Sequence, residues 1–442
     1  MIEFFSAAAR DRDNLSAASQ RIVNMYREPA PDGSWLKSVL GMADFSAAEG
    51  ATIRAMETVR GELYVASSER LWRIGEGGYA AFRGFIADSR DTGISGNNGK
   101  IAVVAGGRYF VLNGQTMTEP EAGAFDKFGS VTFLANYTIT SKRNGNLIQW
   151  SDLGNASSLP GLNFASADGR DDDIVRVMAL SGTLWVFKEN SREAWYSTGQ
   201  AGPDAFLRMA GGIYDIGLAG YSLIAPMTGA AFLIGSDGRA HIQSGGQLQP
   251  VSIPAVETAI KTQRPRDCFT YDDEGHTFCV VTFRDGPAWV YDISTGEWHE
   301  RAEGVGLGPW SATCSAYAYG SWIVGRHGGK LSKLSRTNTD DGGPLAREVT
   351  GRTMRADGQR FIVHEFEPMI RQGFSAGNIV LTVSRDAGVT WGAEKLREVG
   401  PVGKYGQIVN WRGLGQFRQF TPRLRCTDPA EINIGSSARV RT

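Results

Sequence analysis

The 442-residue chain has few cysteines, and they do not cluster. Cys268, Cys279, Cys314 and Cys426 lie far apart and form no Cys-x-x-Cys pair. This spacing disfavours both a disulfide framework and a zinc ribbon in a chain of this size. We therefore expect reduced and mostly buried thiols, as in a protein that folds in a reducing compartment.

The chain also lacks the sequence marks of export and membrane insertion. Its first twenty residues contain no basic stretch followed by an apolar core, so no signal peptide is predicted. No window approaches about 18 uninterrupted apolar residues, so no transmembrane helix is predicted. Because 46 Lys and Arg residues balance 47 Asp and Glu residues, no general attraction to nucleic acid or to an anionic membrane follows. We expect a soluble protein without direct membrane insertion.

Motifs of the common catalytic and metal sites are missing as well. No His-x-x-x-His pair, no Gly-x-x-x-x-Gly-Lys-Ser/Thr phosphate loop and no Gly-x-Ser-x-Gly elbow occurs. The run Asp168–Asp173 could offer oxygen ligands to calcium but lacks the spacing of an EF-hand loop. We interpret this run and Asp340–Asp341 as solvated loops, because charge runs usually face water. The sequence thus predicts no catalytic residue, no metal site and no cofactor.

Glycine and aromatic residues are abundant, with 56 Gly, 11 Trp and 13 Tyr. A unit consisting of a Gly, an apolar run, a turn and a second run recurs seven times. The units begin at residues 61, 99, 129, 182, 229, 275 and 320, in steps of 38, 30, 53, 47, 46 and 45. A period of about 40 to 50 residues with several strands per unit is typical of a β-propeller. Seven units predict about seven blades, and the uneven early steps leave six or eight possible.

Turn signals and one helical pattern complete this repeat. Glycine-containing pairs that can take positive φ, and so suit tight hairpins, separate the runs of several units. These pairs are Gly106-Gly107, Asp237-Gly238, Asp285-Gly286 and Gly328-Gly329. At Ile253–Lys261 apolar residues recur at helical spacing behind Pro254, which favours a short helix between blades.

The composition changes after Leu334. Residues 335–351 are polar and glycine-rich, as in a domain boundary. The alternating segments beyond them predict an antiparallel β-sandwich-like domain. These segments are Arg360–Ile370, Asn378–Asp386, Gln407–Leu414 and Phe417–Cys426. We predict an all-β chain with an N-terminal arm and the strand that enters the propeller over 1–50, the propeller over 51–340 and the sandwich-like domain over 341–442.

One hairpin of the last domain, Ser384–Trp391 (SRDAGVTW), resembles the Asp-box of sialidases and related propeller proteins. Gly388 supplies positive φ at little steric cost, while Ser384 and Asp386 can bond the amides of the turn itself. Since none of these roles needs a substrate, we interpret the box as a turn-stabilising device. It also lies outside the blade series, whereas catalytic sialidases usually carry several boxes within their blades.

The C-terminal segment is biased in charge. From Lys404 to Thr442, seven basic and two acidic residues give a net charge of +5, and aromatic residues interleave with them. Such a patch could face DNA or an acidic protein surface, or it could be a solvated face of the sandwich. The candidate residues facing a partner or DNA are Lys404, Tyr405, Trp411, Arg412, Arg418, Arg423 and Arg425.

Two segments resemble the podovirus tail-hub family, also called packaged-DNA stabilisation proteins. Asn14–Gly33, with its core QRIVNMY before a Pro-containing turn, is similar to the N-terminal signature of that family. Val383–Pro429 is similar to its C-terminal signature, in which an Asp-box-like hairpin precedes a Gly-Lys-Tyr turn, a Trp-Arg-x-Leu-Gly strand and an Arg- and Phe-rich strand. Gly413 departs from this pattern, which has a second basic residue there. The blade-like repeat between the two signatures is also similar to the blades of these hubs.

The resemblance implies a structural bacteriophage protein of the virion tail and not an enzyme. It implies a homo-oligomeric ring of six copies below the portal and its adaptor ring, assembled in the cytoplasm of the bacterial host. Such a hub or nozzle extends the channel for double-stranded DNA, retains the packaged genome, and docks a tail needle or plug and tail fibres or spikes.

Two alternatives stay open from the sequence. One is a glycan-acting β-propeller enzyme, a sialidase-like hydrolase or a lyase; the other is a cellular propeller interaction module. The enzyme predicts arginine, tyrosine and carboxylate side chains that converge at the central depression of the propeller.

Overall fold

Antiparallel strands form nearly all of the regular structure. The computed structural model describes residues 2–5, 21–31, 33–50, 52–121 and 123–442. Within these ranges the helical segments are the α-helix Pro254–Thr262 and the 3-10 turn Gly202–Asp204. The α-helix starts with Pro254 in its first turn, as predicted, and buries Val256 and Ile260 against neighbouring strands. No helix in the described ranges is long and apolar enough to span a membrane.

Seven four-stranded antiparallel units, numbered here as blades in chain order, follow one another along the chain. Blades 1 to 3 consist of the strands Ile53–Val59, Glu62–Ser67, Arg70–Ile74 and Ala80–Phe85; Thr92–Asn97, Lys100–Ala105, Arg108–Asn113 and Thr116–Thr118; and Phe128–Leu134, Tyr137–Lys142, Leu147–Trp150 and Phe164–Ser166. Blades 4 and 5 consist of Ile174–Leu180, Thr183–Lys188, Ser191–Ser197 and Phe206–Asp215; and Ile224–Met227, Ala230–Ile234, Ala240–Ser244 and Gln247–Pro250. Blades 6 and 7 consist of Pro265–Asp273, His276–Phe283, Ala288–Asp292 and Glu297–Arg301; and Ala312–Ala318, Ser321–Arg326, Lys330–Ser335 and Gly41–Ala47.

The N-terminal region closes the ring of blades. Gly41–Ala47 pairs antiparallel with Lys330–Ser335 and so supplies the outermost strand of blade 7. The short strands Thr339–Asp340 and Gly343–Pro344 extend the same sheet. The first strand of blade 7 also packs against the first strand of blade 1. The predicted β-propeller is therefore confirmed, and the described ranges form seven blades.

Most of the predicted starts of the repeat units lie in the same turn of each blade. In six blades the predicted unit begins at the glycine between the first and second strands, for example at Gly99, where Asn98 and Gly99 have φ of 48° and 80°. The predicted start at 129 is wrong, because this residue lies within the first strand of blade 3. The equivalent turn there is formed by Ala135 and Asn136, with φ of 50° and 66°. Asn tolerates this conformation well, so a repeat led by glycine misses this turn and the early steps look uneven.

The C-terminal domain is a β-sandwich, as predicted, and it includes strands from the N-terminal region. One sheet contains Ile2–Glu3, Met25–Ala30, Gly33–Ser38, Ile434–Arg441, Phe361–Ile370 and Trp411–Phe417. The other contains Arg21–Val23, Arg347–Thr350, Met354–Arg355, Gln419–Cys426, Asn378–Ser384 and Lys395–Glu398. Large apolar side chains from both sheets, such as Phe366 and Leu424, form one core with Phe4 and Phe5.

A shared strand joins the sandwich to the propeller. Arg21–Val23 pairs antiparallel with Arg347–Thr350 of the sandwich and parallel with Glu297–Arg301, the outer strand of blade 6. Arg21 reinforces this junction through ion pairs with Glu300 at 2.6 Å and Glu348 at 3.5 Å. One continuous sheet therefore runs from blade 6 into the sandwich.

Asn24 holds the same junction through its side chain. It is fully buried and has φ of 57°. Its Nδ2 donates to the carbonyl oxygens of Ala302 at 3.0 Å and Ala346 at 2.7 Å. Its Oδ1 accepts hydrogen bonds from the Ala302 amide at 2.9 Å and from Arg301 Nη1 at 3.1 Å. This asparagine, the fifth residue of QRIVNMY, thus contacts both domains at once.

Candidate functional site

The basic residues predicted to face a partner lie on different parts of the sandwich. Arg412 lies on one sheet, and Arg423 and Arg425 lie on the other. Lys404 precedes and Arg418 follows the strand Trp411–Phe417, so these two lie towards its opposite ends. The structure therefore brings Arg423 and Arg425 together and places the remaining basic side chains apart from them.

The structure corrects the prediction that Trp411 faces a partner or DNA. Its side chain is 1 % exposed and packs in the sandwich core near Phe366. Its indole Nε1 donates to the carbonyl oxygen of Lys395 at 2.7 Å. Because successive side chains of a strand point to opposite faces, the ring of Trp411 points inward while the neighbouring Arg412 is exposed. The indole is thus a core residue and not a contact for a partner.

Gly413, the departure from the family pattern, lies in a β-bulge. Val363 pairs with Gly415 and Glu365 pairs with Arg412, so this strand has an extra residue between the two pairs. Gly413 has φ of 64°, a conformation that residues with a Cβ rarely adopt. The backbone of this bulge explains the glycine, because a basic side chain here would strain it.

Arg423 and Arg425 are partly buried, and their side chains have different partners. The Arg423 guanidinium lies 4.1 Å from the centre of the Trp391 ring, and its Nε donates to Thr382 at 2.9 Å. Arg425 donates to the carbonyl oxygen of Val305, in the segment between blades 6 and 7. Arg425 therefore supports the contact between the domains and Arg423 packs within the sandwich, whereas Lys404, Tyr405, Arg412 and Arg418 are exposed.

The Asp-box is a self-contained turn in the structure. The Gly388 amide donates to Ser384 Oγ at 2.8 Å, and the Thr390 amide donates to Asp386 Oδ1 at 2.8 Å. Ala387 and Gly388 take positive φ of 58° and 96°. Hydrogen bonds from Ser384 and Thr390 lower the pKa of Asp386 to about 2. The polar side chains of the box bond the turn itself.

We expect Asp386→Asn to show this role as a pH-dependent loss of thermal stability. The folded pKa of Asp386 lies below its ordinary value of about 3.9, so the stabilisation is complete above that pH and is lost as the pH falls towards about 2. The difference in Tm between wild type and variant should be constant above about pH 5 and shrink between about pH 4 and 2. A difference that stays constant down to pH 2 would contradict this role.

Buried ion pairs occur in Asp168–Asp173 and in Asp340–Asp341, the two acidic runs that were predicted to be solvated loops. Asp172 lies 2.9 Å from the buried ammonium of Lys188, and Asp340 lies 2.6 Å from the buried guanidinium of Arg301. The solvated interpretation is therefore wrong for these two carboxylates, although Asp171 and Asp173 are exposed. In the described ranges no three His, Cys, Asp or Glu residues come together as a metal site.

Cavities surround the axis of the propeller. The central one, of about 250 Å³, is lined by first strands of six blades and contains Arg54, Glu57, Arg176 and Asp267. A cavity of about 460 Å³ adjoins it, shares Tyr221 with it, and forms what we call the channel mouth. A third, of about 1040 Å³, shares Trp322 and other residues with the central cavity. We call the three together the axial channel.

Arginine, tyrosine and carboxylate side chains converge in the axial channel, as the enzyme alternative predicts. Burial raises the pKa of Asp267 to about 6, against the opposing effect of Arg90, Arg266 and Arg54. Crowding by the channel walls raises the pKa of Glu57 and Arg176 opposes this shift, but Glu57 is exposed to solvent, which weakens the effect. The partly buried carboxyl group of Asp267 can hold a proton near neutral pH.

Tyr221 is not paired with a base among the described residues, however. The guanidinium of Arg176 lies 4.8 Å from the centre of the Tyr221 ring. The Tyr221 hydroxyl has no hydrogen-bond partner among the described residues. A tyrosine nucleophile needs a base within hydrogen-bond reach. Tyr221 is therefore not arranged as an activated nucleophile, and the charged groups around it remain available for binding.

A seven-bladed propeller fused through a shared strand to a β-sandwich defines the class of this protein as a two-domain, all-β protein. Residues 8–339 match the family model described as bacteriophage P22 Gp10, β-propeller, and residues 346–442 match the one described as bacteriophage P22 Gp10, β-sandwich. The chain belongs to the bacteriophage P22 Gp10 family. It is a phage structural protein of the kind that stabilises packaged DNA, which favours a non-enzymatic role.

Comparisons with individual proteins add little to the family match. No curated protein matches the chain. The computationally designed Ika8 protein has 12 % sequence identity and a TM-score of 0.42, covering 66 % of this chain and 99 % of its own. The Neurospora crassa Pan2 WD40 domain has 7 % identity and a TM-score of 0.42, covering 67 % of this chain and 95 % of its own. At these scores nothing about function follows from either likeness.

Proposed function

We propose that this protein forms a ring of six copies in the phage tail, below the portal and its adaptor ring. In this position it extends the channel for double-stranded DNA and retains the packaged genome. The observation that carries the proposal is the match of both domains to the P22 Gp10 family, which together covers residues 8–339 and 346–442. Assembly would take place in the cytoplasm of the bacterial host.

Mechanical rigidity supports this role. The sheet shared by blade 6 and the sandwich, with Arg21 and Asn24 at its centre, connects the two domains by backbone and side-chain bonds. A hub that holds a pressurised genome needs domains that keep a fixed relative position. Near-neutral overall charge also suits a conduit, because each neutralised phosphate would add salt-sensitive affinity and slow the passage of DNA.

The exposed basic residues of the sandwich are our candidates for docking. Lys404, Arg412 and Arg418 are exposed, and Tyr405 offers an exposed aromatic ring. We propose that this set contacts the adaptor ring, the needle or plug, or the fibres or spikes. Arg423 and Arg425 are excluded from this surface because both are partly buried: Arg423 packs on the ring of Trp391, and Arg425 donates to Val305.

Mass measurement with the adaptor ring of the same phage tests the proposal. We expect the wild-type protein to assemble on the adaptor as a complex containing six copies. The variant Lys404→Glu/Arg412→Glu/Arg418→Glu should bind the adaptor about tenfold more weakly, because reversed charges slow association and repel an acidic partner. The control Arg108→Glu/Arg170→Glu/Lys261→Glu reverses three exposed charges on the propeller and should bind normally.

The two parts of this test fail independently. Protein that stays monomeric in the presence of the adaptor would contradict the ring. Equal binding by the sandwich variant and the propeller control would contradict a role of this surface in docking the adaptor ring, without contradicting the ring itself.

A further inference from the structure

Two adjoining segments of the sandwich, residues 371–377 and 395–408, expose a group of large apolar side chains. An amide of the second segment donates to a carbonyl oxygen of the first at 2.9 Å, so the two are held together. The rings of Phe374 and Tyr405 lie 5.9 Å apart, edge to face, and are 48 % and 68 % exposed. The exposed side chains that we call the aromatic knob are Phe374, Val402, Tyr405 and Ile408.

Positive charge surrounds the aromatic knob. The Arg371 guanidinium lies 4.0 Å from the centre of the Phe374 ring, and Lys404 lies on the second segment. Both cations are exposed, and neither forms an ion pair with a carboxylate of the described residues. The carboxylates of Asp428 and Glu431 adjoin the first segment but bond asparagine side chains. The two segments together carry four basic residues and one acidic residue, a net charge of +3.

The cavity of about 1040 Å³ at one end of the axial channel has an apolar wall. It lies where the first strands of blades 5 to 7 end. Ile293 and Tyr317 line it and are exposed, so the apolar wall reaches the protein surface. The other large apolar side chains of the wall are Leu40, Met227, Ile242, Trp322 and Leu334.

The charge of this cavity is negative. Asp272, Asp273 and Glu274 line it together with one cation, Arg336, so the balance of the lining residues is three acidic against one basic. Arg336 pairs with Asp273 at 2.6 Å and with Glu274 at 3.0 Å. Lys37 approaches Glu274 from outside the wall at 3.4 Å. The exposed Asp272 is therefore left without an ion pair among the described residues.

We propose that the aromatic knob of one copy of this chain docks into this cavity of a second copy. Phe374 and Tyr405 fill the apolar space, and the cations beside them face the exposed Asp272. The knob and the cavity do not meet within one chain, because no residue of the knob lines the cavity. Aromatic anchors in a pocket with complementary charges at the rim are typical of the residues that dominate binding at protein interfaces.

A second copy is the occupant because this chain carries both complementary surfaces. The two surfaces differ, so the contact is head-to-tail, and each copy uses its knob on one neighbour and its cavity on the other. Repetition of such a contact closes into a ring when the rotation between copies allows it. The inference rests on the proposed ring. In that ring Lys404 and Tyr405 contact the neighbouring copy, which leaves Arg412 and Arg418 for the other virion proteins.

Analytical ultracentrifugation of the full-length protein tests the contact with two variants that each keep one half of it. Phe374→Ser/Tyr405→Ser is the knob variant, and Asp272→Arg/Tyr317→Ser is the cavity variant. All four side chains are exposed, so both variants should keep the Tm of the wild type. The wild type should associate with rising concentration into species of up to six copies. Each variant alone should associate at least about tenfold more weakly.

An equimolar mixture of the two variants isolates a single contact. The knob variant keeps its cavity and the cavity variant keeps its knob, so one intact contact can join them. The mixture should form heterodimers and nothing larger, because both free ends of the heterodimer are mutated. Tyr79→Ser/Phe85→Ser removes two exposed rings from blade 1 and is the matched control, which should associate like the wild type.

Several results would overturn the contact. One is a wild type that stays monomeric, and another is a mixture that stays monomeric although both variants keep their Tm. Equal association by the knob variant and the blade 1 control would overturn it as well. If the wild type does not self-associate and the knob variant alone loses binding to the adaptor ring or to vesicles of anionic phospholipid, the knob has another occupant and the proposal is wrong. A ring of six that the knob variant forms on the adaptor would overturn this contact and leave the proposed function standing.

Discussion

Asn24→Ala should lower the free energy of unfolding by about 3–4 kcal/mol, because truncation leaves several buried polar groups without partners. The Ala302 amide and the Ala346 carbonyl oxygen lose their bonds to Asn24. The Ala302 carbonyl oxygen and Arg301 Nη1 each lose one bond but keep the bond between them. Alanine also tolerates the left-handed conformation of this residue less well than asparagine does. Urea unfolding of the full-length chain measures the loss.

Asn98→Ala is the matched control for Asn24. Asn98 has a similar φ of 48° but lies in an exposed hairpin turn of blade 2. Its replacement should lower the free energy of unfolding by about 1 kcal/mol, mostly because alanine tolerates positive φ less well. If Asn24→Ala were no more destabilising than Asn98→Ala, the side chain of Asn24 would not hold the domain junction.

Asp340→Ala should lower the free energy of unfolding by a similar amount, because it leaves the buried Arg301 without its carboxylate partner. Arg301 is 1 % exposed and Asp340 is 5 % exposed, and their closest atoms lie 2.6 Å apart. Asp340 Oδ1 also accepts a hydrogen bond from the Met42 amide, in the strand that closes blade 7. Breaking a buried pair from one side typically costs about 3–5 kcal/mol.

A surface ion pair of comparable geometry gives the reference for Asp340. Arg439 and Glu367 approach to 2.7 Å, but the arginine is exposed. Glu367→Ala should therefore cost about 1 kcal/mol or less. Equal losses of unfolding free energy for Asp340→Ala and Glu367→Ala would show that burial does not strengthen the Arg301 pair.

The blades could be predicted from the sequence because each contains a short local feature, the tight turn between its first and second strands. The turn between the first and second strands needs positive φ, and glycine is the residue that provides it at least cost. The start of blade 3 was predicted wrongly because Asn136 takes the place of this glycine. The feature that recurs is the positive φ in this turn and not glycine itself. A search for the repeat therefore has to accept both Gly and Asn.

Long-range pairings could not be predicted in the same way. Gly41–Ala47 completes a blade whose other strands begin at Ala312, and Arg21–Val23 joins two domains. Nothing in the local pattern of either strand identifies a partner hundreds of residues away. The same holds for Asp340, whose partner Arg301 is distant in the sequence.

The candidate sites show the same limit. The charged groups of the central cavity come from residues 54, 57, 176 and 267, so no short motif contains them. The C-terminal patch was predicted from sequence proximity, and the two sheets of the sandwich then separate Arg412 from Arg423. For Trp411 a signal did exist, because a large aromatic next to an arginine in a strand usually points to the core.

Cryo-electron microscopy of the purified phage tail tests the ring most directly. We expect six copies of the propeller and its attached sandwich around the DNA channel, directly below the adaptor ring. A map in which this position holds no propeller, or in which the protein occurs as single copies away from the channel, would contradict the proposed function.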